Sequence, residues 1–397
     1  MKSKIHFTLF LFSLFFLNYS YSQTTFVPDN VFEQYLITQG YDDVLDDYVL
    51  TTNIENVTLV DLSFSGLSDL TGIEDFTALI ELYAYNNFSL SSLDVSANTA
   101  LTHLHVYNTS ISSLDVSTNT ALLELNLFRA SISSLDVSMN TALLELNVSQ
   151  TSLSSLDVST NTALTGLSAS LIPISSLDVS TNTALTSLSA SAISIPSLDV
   201  STNTALTSLF VSDTPITSLD VSTNTALQYF FVNDALIPSL DVSMNTELIW
   251  LSINNNNLII SLDVSTHTLL TTLTTNNTPN LDCITVADEA AAMAGTGIYA
   301  NWEKDLNDSY SEDCDALDVL DFDISKVYIG PNPIKDEIDI VLHNLAVLNK
   351  VSLFDVTGKL ILTSTSTNIS TSHIETGLYL VKITTDKGSF TKKLVKY

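Results

Sequence analysis

The chain has 397 residues and carries 44 Asp and Glu against 13 Lys and Arg, a net charge of −31. So acidic a balance excludes nucleic-acid binding through phosphate neutralisation. Apolar residues at 45% against 14% charged supply a large core and exclude wholesale disorder, while the length alone suggests two or three domains.

Residues 1–22 carry Lys2 and Lys4, an apolar run over 5–17, and small residues at Ser20 and Ser22. This pattern predicts a secretory signal peptide cut before Gln23, because the run is shorter than the ~20 residues that span a bilayer. No later stretch reaches spanning length without polar interruption, so no membrane-spanning segment is expected. Residues 23–58 read as an N-terminal cap. A short helix is expected over 28–36 with Asp29 or Asn30 as N-cap, followed by an acidic loop of Asp42, Asp43, Asp46 and Asp47.

From 59 to 281 the chain repeats. Leu-Asp-Val-Ser recurs from Leu93 through Leu114, Leu135, Leu156, Leu177, Leu198, Leu219 and Leu240 at 21-residue intervals, then at Leu262 after 22. Self-similarity at this period marks stacked coils. Within a coil Leu206-Thr-Ser-Leu209-Phe-Val211 and Ile216-Thr-Ser-Leu219-Asp-Val221 fit one template, so two short strands per coil are expected. A lone coil buries too few apolar side chains to offset its backbone entropy, whereas stacking at ~4.8 Å covers both faces of each apolar layer. Pro173, Pro196, Pro215 and Pro238 fall between the halves, where no ladder N–H is required.

The nested pattern is similar to a bacterial leucine-rich-repeat class with 21-residue units, which implies a right-handed β-rich solenoid. One departure stands out. Where that class ends its first half in Asn, this chain has Thr109, Ala130, Thr151, Ile172 and Ile193, and its regular Asn series runs through the second half from Asn98 to Asn245. Which half lines the concave face is left open by this shift.

Nine aspartates, Asp94 to Asp263, share one place in successive coils. They are expected to accept hydrogen bonds from nearby backbone and Ser or Thr hydroxyls, as Asp does in turns. The alternative is calcium along the row or in the loop at Asp42 to Asp47, although neither supplies the converging oxygens of a hand-type site. Taking the first half of each coil as the exposed sheet, two aromatic groups face outward. They are Tyr83, Tyr85, Tyr107 and Phe128, and, separately, Tyr229, Phe231 and Trp250. These are candidate contact residues for a protein or polysaccharide ligand, the alternative being cross-strand packing among themselves. His103 and His105, flanked by Glu81 and Glu124, form the one place where a metal or acid–base reading could be built. Gly-x-Ser-x-Gly, phosphate-loop and His-Glu-x-x-His motifs are absent, and so is zinc spacing, so neither a catalytic nor a metal residue is assigned.

Residues 282–325 read as a C-terminal cap and linker with a helix over 286–293. Cys283 and Cys314, the chain's two cysteines, are expected to form a disulfide in an oxidising, exported context. Of the basic residues two lie in 1–22, nine lie at or after Lys326, and Arg129 and Lys304 alone lie between, which separates 326–397 as a domain. There residues 350–363 and 376–384 alternate as strands, with a turn at Thr357-Gly358.

Residues 327–333 (VYIGPNP), 353–359 (LFDVTGK), 377–383 (GLYLVKI) and 392–397 (KKLVKY) together resemble a type IX secretion sorting domain. The resemblance implies a small β-sandwich, recognition by the type IX machinery at the outer membrane, and a secreted or surface-attached product. The alternative is an immunoglobulin-like adhesion module. The function expected is that of a non-catalytic binding or adhesion protein. Its competitor, a polysaccharide-degrading enzyme on a β-helix, should interrupt the repeat with irregular charged residues, yet the central coils are the most uniform part of the chain.

Overall fold

The structure is a computed structural model that describes residues 23–314, 327–330, 332–342, 347–385 and 388–397. The expected export signal (1–22) and the last stretch of the expected linker (315–325) lie outside the described residues. The chain forms two compact units. One comprises the residues up to Asp282 with Ala294–Asp308, and the other Cys283–Met293 with Ser309–Tyr397.

The first unit opens with strand Thr24–Phe26 antiparallel to Tyr48–Leu50, enclosing helix Asn30–Gln39. Asp29 is the N-cap: its Oδ1 accepts from the Val31 and Phe32 N–H groups. Gly40 stops the helix in the left-handed region at φ 79°, where a residue without Cβ costs least. Phe32 and Leu36 are fully buried, and the Phe32 ring lies 5.8 Å from that of Phe76. The Asp29 Oδ2 accepts from the Ser68 N–H and hydroxyl and from the Asp69 N–H, tying the cap to the first coil. Burial raises the pKa of this carboxyl, but the hydrogen bonds from Ser68, Val31 and Phe32 outweigh it and hold the group below its ordinary value.

The coils then lay down a twelve-stranded parallel sheet in sequence order, from Leu59–Asp61 through Glu81–Tyr83 and onward to Trp250–Ser252, Thr272–Thr275 and Asn301–Lys304. Each strand is short because one coil contributes only an x-Leu-x segment to the face. Its middle residue points inward, so Leu82, Leu104, Leu125, Leu146, Leu167, Leu188, Leu209, Phe230, Leu251 and Leu273 form one buried column. Val95, Val116, Val137, Val158, Val179, Val200, Val221 and Val242 form a second, from the Leu-Asp-Val segment.

The second half of each coil departs from the expected strand. Among the described residues only Leu262–Asp263 of this series takes strand form. Backbone bonding between coils is sparse there, with Ser110 N to Leu90 O, Ser152 N to Ile132 O, Ser194 N to Ile174 O and Leu236 N to Ile216 O. Pro173 and Pro215 stand at the same place in intervening coils and have no N–H to give.

Side chains do the stitching instead. The Asn119 Nδ2 donates to Val95 O and Asn98 O of the preceding coil, both at 2.9 Å, and Asn140, Asn161, Asn182, Asn203, Asn224 and Asn245 repeat this pair. All are buried, which is why a second-half Asn recurs where Thr, Ala or Ile suffices in the first half. At the last such place His267 sends Nε2 to Val242 O at 3.0 Å. Asn87 and Asn256, in the outer coils, keep the first-half amide: Asn87 donates to Leu62 O and Ala84 O, and Asn256 to Val232 O and Ile253 O.

In the second unit Cys283–Thr285 pairs in parallel with Ser309–Ser311, and Cys283 is bonded to Cys314. The expected helix at 286–293 runs Glu289–Ala294, because the Asp288 Oδ1 accepts from the Ala291 N–H and so starts the first turn later, while Gly295 at φ 61° ends the last. The C-terminal part is a β-sandwich. Val327–Gly330, Glu337–Leu342 and Asn368–Ser370 form one antiparallel sheet; Leu360–Ser364, Leu348–Asp355, Gly377–Thr385 and Gly388–Lys396 form the other. Between them sit Ile338, Ile340, Val351, Leu353, Val381, Ile383 and Leu394, all buried. The Thr357-Gly358 turn is built by Asp355, whose Oδ1 accepts from the Thr357 and Lys359 N–H groups, with Gly358 at φ 84°.

Candidate binding face

Because inward residues alternate with outward ones, each strand presents its first and third residues, and the place two further on, to solvent. Parallel registry aligns these in columns: Glu81, His103, Glu124 and Glu145 in one, Tyr83, His105, Asn126 and Asn147 in the next. The first aromatic group forms on this grid. The Tyr85 and Tyr107 rings stack 4.3 Å apart at 8°, and Phe64 meets Tyr85 edge-on at 5.4 Å. The Tyr83 ring stands edge-on to His105 at 5.1 Å. Phe128 takes the Tyr107 place one coil on, half-buried. The second group is continuous: Phe210 stacks on Phe231 at 5.0 Å, and Phe231 leans on Trp250 at 4.9 Å. Tyr229 pairs in register with Trp250, and the two are 38% and 39% exposed, so this group combines mutual packing with open surface.

Between the groups the face is small and polar. Ser149, Ser170, Ser191 and Ser212 each accept, through Oγ, the N–H of the residue one coil on, at 3.0–3.1 Å. Asn233 and Asn254 continue the file with Oδ1, at 2.7 and 2.8 Å. The Glu145 carboxylate folds over Gly166, where a Cβ would lie 1.8 Å from Oε2.

Charge on the first group has a defined arrangement. The Glu124 carboxylate lies between the two imidazoles, Oε1 at 3.6 Å from His103 Nε2 and Oε2 at 3.3 Å from His105 Nε2. The Thr102 Oγ1 holds His103 Nδ1 at 2.8 Å. The Tyr83 hydroxyl donates to Glu81 at 2.8 Å. Burial, then that hydrogen bond and the negative charge of Glu81, Glu124 and Asp61, push the Tyr83 hydroxyl up to about 12. Burial, and then Tyr85, raise Tyr107 as well.

The aspartate row runs in file as expected. In every coil from Asp94 to Asp263 the Oδ1 accepts the N–H of the Ser two residues on, at 2.9 Å. The Ser117 hydroxyl and N–H hold Asp115 below its ordinary pKa, and in Asp94 through Asp241 the bonds from the following Ser likewise outweigh the slight burial that raises the group. The acidic loop likewise serves its own backbone. Asp42 Oδ1 accepts from Asp43 N, Asp46 Oδ1 from Tyr48 N, and the buried Glu33 Oε1 from both Asp46 N and Asp47 N. Among the described residues no group of three or more His, Cys, Asp or Glu is placed to hold a metal ion. A cavity of about 310 Å³ lies among Asp69, Thr71, Glu74, Ser92, Asp94 and Ser113, and its carboxylates also serve local backbone, Asp69 accepting from Thr71 N and Glu74 from Gly72 N.

Phe64 and Phe210 join the two groups without having been singled out. Phe210 sits in the outward position one coil before Phe231, whereas Phe64 belongs to a degenerate first coil whose register only Leu59 and Leu62 signal.

Comparison with known proteins supplies two findings. Residues 326–397 match a secretion system C-terminal sorting domain. The fold is similar to the functional domain of InlJ from Listeria monocytogenes, which includes a cysteine ladder, at TM-score 0.62 and 22% identity over 95% of this chain and 99% of that one. It is also similar to the internalin inlF from the same organism, at TM-score 0.56 and 21% identity over 72% and 91%. Cysteine occurs only twice here, and asparagine is the residue that recurs buried in successive coils. No curated protein matches the chain. Among the described residues no helix is long and apolar enough to cross a membrane. The chain is therefore a leucine-rich-repeat solenoid that carries a type IX sorting domain and belongs at the cell surface or outside the cell.

Proposed function

We propose that this protein is a non-catalytic binding or adhesion protein, which uses the exposed face of its solenoid sheet as a rigid contact surface and its last domain for delivery across the outer membrane. The observation that carries this reading is the placement of two aromatic groups, Tyr83, Tyr85, Tyr107 and Phe128 with the His103–Glu124–His105 cluster, and Tyr229, Phe231 and Trp250, on one hydrogen-bonded sheet. Tyr and Trp on a fixed scaffold lose little conformational freedom on binding and are enriched among residues that dominate contact energies. Each carboxylate of the aspartate row accepts a Ser N–H in its own turn, which favours a scaffold over an enzyme. The ligand class is a protein or a polysaccharide.

The test uses purified full-length protein on arrays of polysaccharides and of cell-surface proteins. The variants Tyr229→Ala/Phe231→Ala/Trp250→Ala and Tyr85→Ala/Tyr107→Ala are expected to lose binding by about tenfold or more, as anchor truncations do. Undiminished binding by both, with melting unchanged, removes the face from consideration. Deletion of residues 327–397 is expected to leave the protein in the periplasm.

A further inference from the structure

We propose that the patch formed by Glu81, Glu124, Tyr83, Tyr85 and Tyr107 receives Lys and Arg side chains from a protein partner of net positive charge. This deepens the contact-face reading above and rests on it. Residues 59–281 hold 19 carboxylates and one cation, Arg129, so the field of the solenoid repels anionic polymers and draws basic ones. Nine of those carboxylates form the aspartate row, where each group already serves its own turn.

On the sheet face the arrangement differs. Glu81 and Glu124 stand in the same column two strands apart, about 10 Å at the usual strand spacing. Each is paired with a neutral donor or an imidazole, and neither with Lys or Arg. Stacked Tyr85 and Tyr107 supply flat walls for the aliphatic stems of long basic side chains, and phenol oxygens can accept from their N–H groups. The second aromatic group has no such carboxylates on its strands, whose outward residues are Ser208, Phe210, Tyr229, Phe231, Trp250 and Ser252, so selection for positive charge belongs to the first.

The test measures fluorescence anisotropy of a labelled (Lys-Ser)6 peptide and its (Glu-Ser)6 counterpart with the full-length protein at ~0.15 M salt, where exposed charges beyond ~8 Å are screened. Wild type is expected to bind the Lys peptide and not the Glu peptide. Glu81→Gln/Glu124→Gln is expected to weaken that binding about tenfold, while Asp157→Asn/Asp178→Asn, which removes equal charge from the aspartate row, changes it less than about twofold. Equal loss in both variants, indifference to peptide charge, or no binding of the Lys peptide overturns the proposal. Polysaccharide or protein capture that still depends on Tyr229, Phe231 and Trp250 then leaves the contact face standing; loss of that as well removes both.

Discussion

At the turn after each sheet strand except the last, one residue adopts the left-handed conformation, from Phe64 at φ 56° to Asn277 at φ 57°. Asn and Asp tolerate that region, and Asn86, Asn108, Asp213, Asp234, Asn255 and Asn277 hold it. Leu171, at φ 57° and 54% exposed, gains no side-chain bond to offset a penalty of about 1 kcal/mol. Leu171→Asn is therefore expected to raise stability by about 0.5–1 kcal/mol, seen as a higher urea midpoint at constant slope. Asn182→Ala tests the opposite case. It removes two buried donors, although Val158 O and Asn161 O keep backbone partners in Asn161 N and Leu164 N, so a loss of about 1–3 kcal/mol is expected in the same measurement. An unchanged midpoint would show that the amide row contributes nothing.

Among elements, the C-terminal cap depends on a covalent link. Cys283 and Cys314 are 31 residues apart, and opening that loop by Cys283→Ser/Cys314→Ser is expected to cost about 3.5–4 kcal/mol in the chain-entropy model. The check is a lower unfolding midpoint that reductant reproduces in the wild type and leaves unchanged in the variant. The coil period, the inward leucines and a helix capped at Asp29 or Asn30 were legible in the sequence from spacing and residue type, and the sandwich through the resemblance of the last domain to a sorting domain. The unequal halves of a coil were not. Leu206-Thr-Ser-Leu209-Phe-Val211 and Ile216-Thr-Ser-Leu219-Asp-Val221 carry the same apolar spacing, and what separates them is whether successive backbones approach closely enough to pair. The left-handed turn was hidden for a similar reason, since Phe, Arg, Gln, Leu and Ala occupy it in five coils and Gly in none. Of the aromatic face, the residues were readable from alternation, but their ring contacts and the Phe64 contribution required the register of an irregular first coil.

Across the whole molecule the pH response has a fixed sign. The hydrogen bonds that lower the carboxyls from Asp94 to Asp241 stabilise the fold above the ordinary value of 3.8, and that contribution disappears as pH falls through their folded values. Burial lowers His267 from 6.5, so the unfolded chain takes up a proton that the fold resists, and stability declines from about pH 6.5 downward. Burial and Asp305 raise Asp308 to about 6, which opposes the decline between there and pH 4. The two offset each other between pH 6 and 4, so melting temperature is expected to change little there and to fall below 4, and His267→Asn is expected to turn the range from 6 to 4 into a rise on acidification. A melting temperature that rises steadily from pH 7 to 4 contradicts this. The repeated bond from each Asn to carbonyls 21 and 24 residues back makes the coils interchangeable. Excising residues 162–182 rejoins Asn161 to Thr183-Ala184-Leu185, the tripeptide it already precedes. The shortened chain should melt as sharply as its parent while bringing the tyrosine and tryptophan ends about 4.8 Å nearer, so the number of coils is a ruler for the distance between the two aromatic groups, adjustable by whole notches.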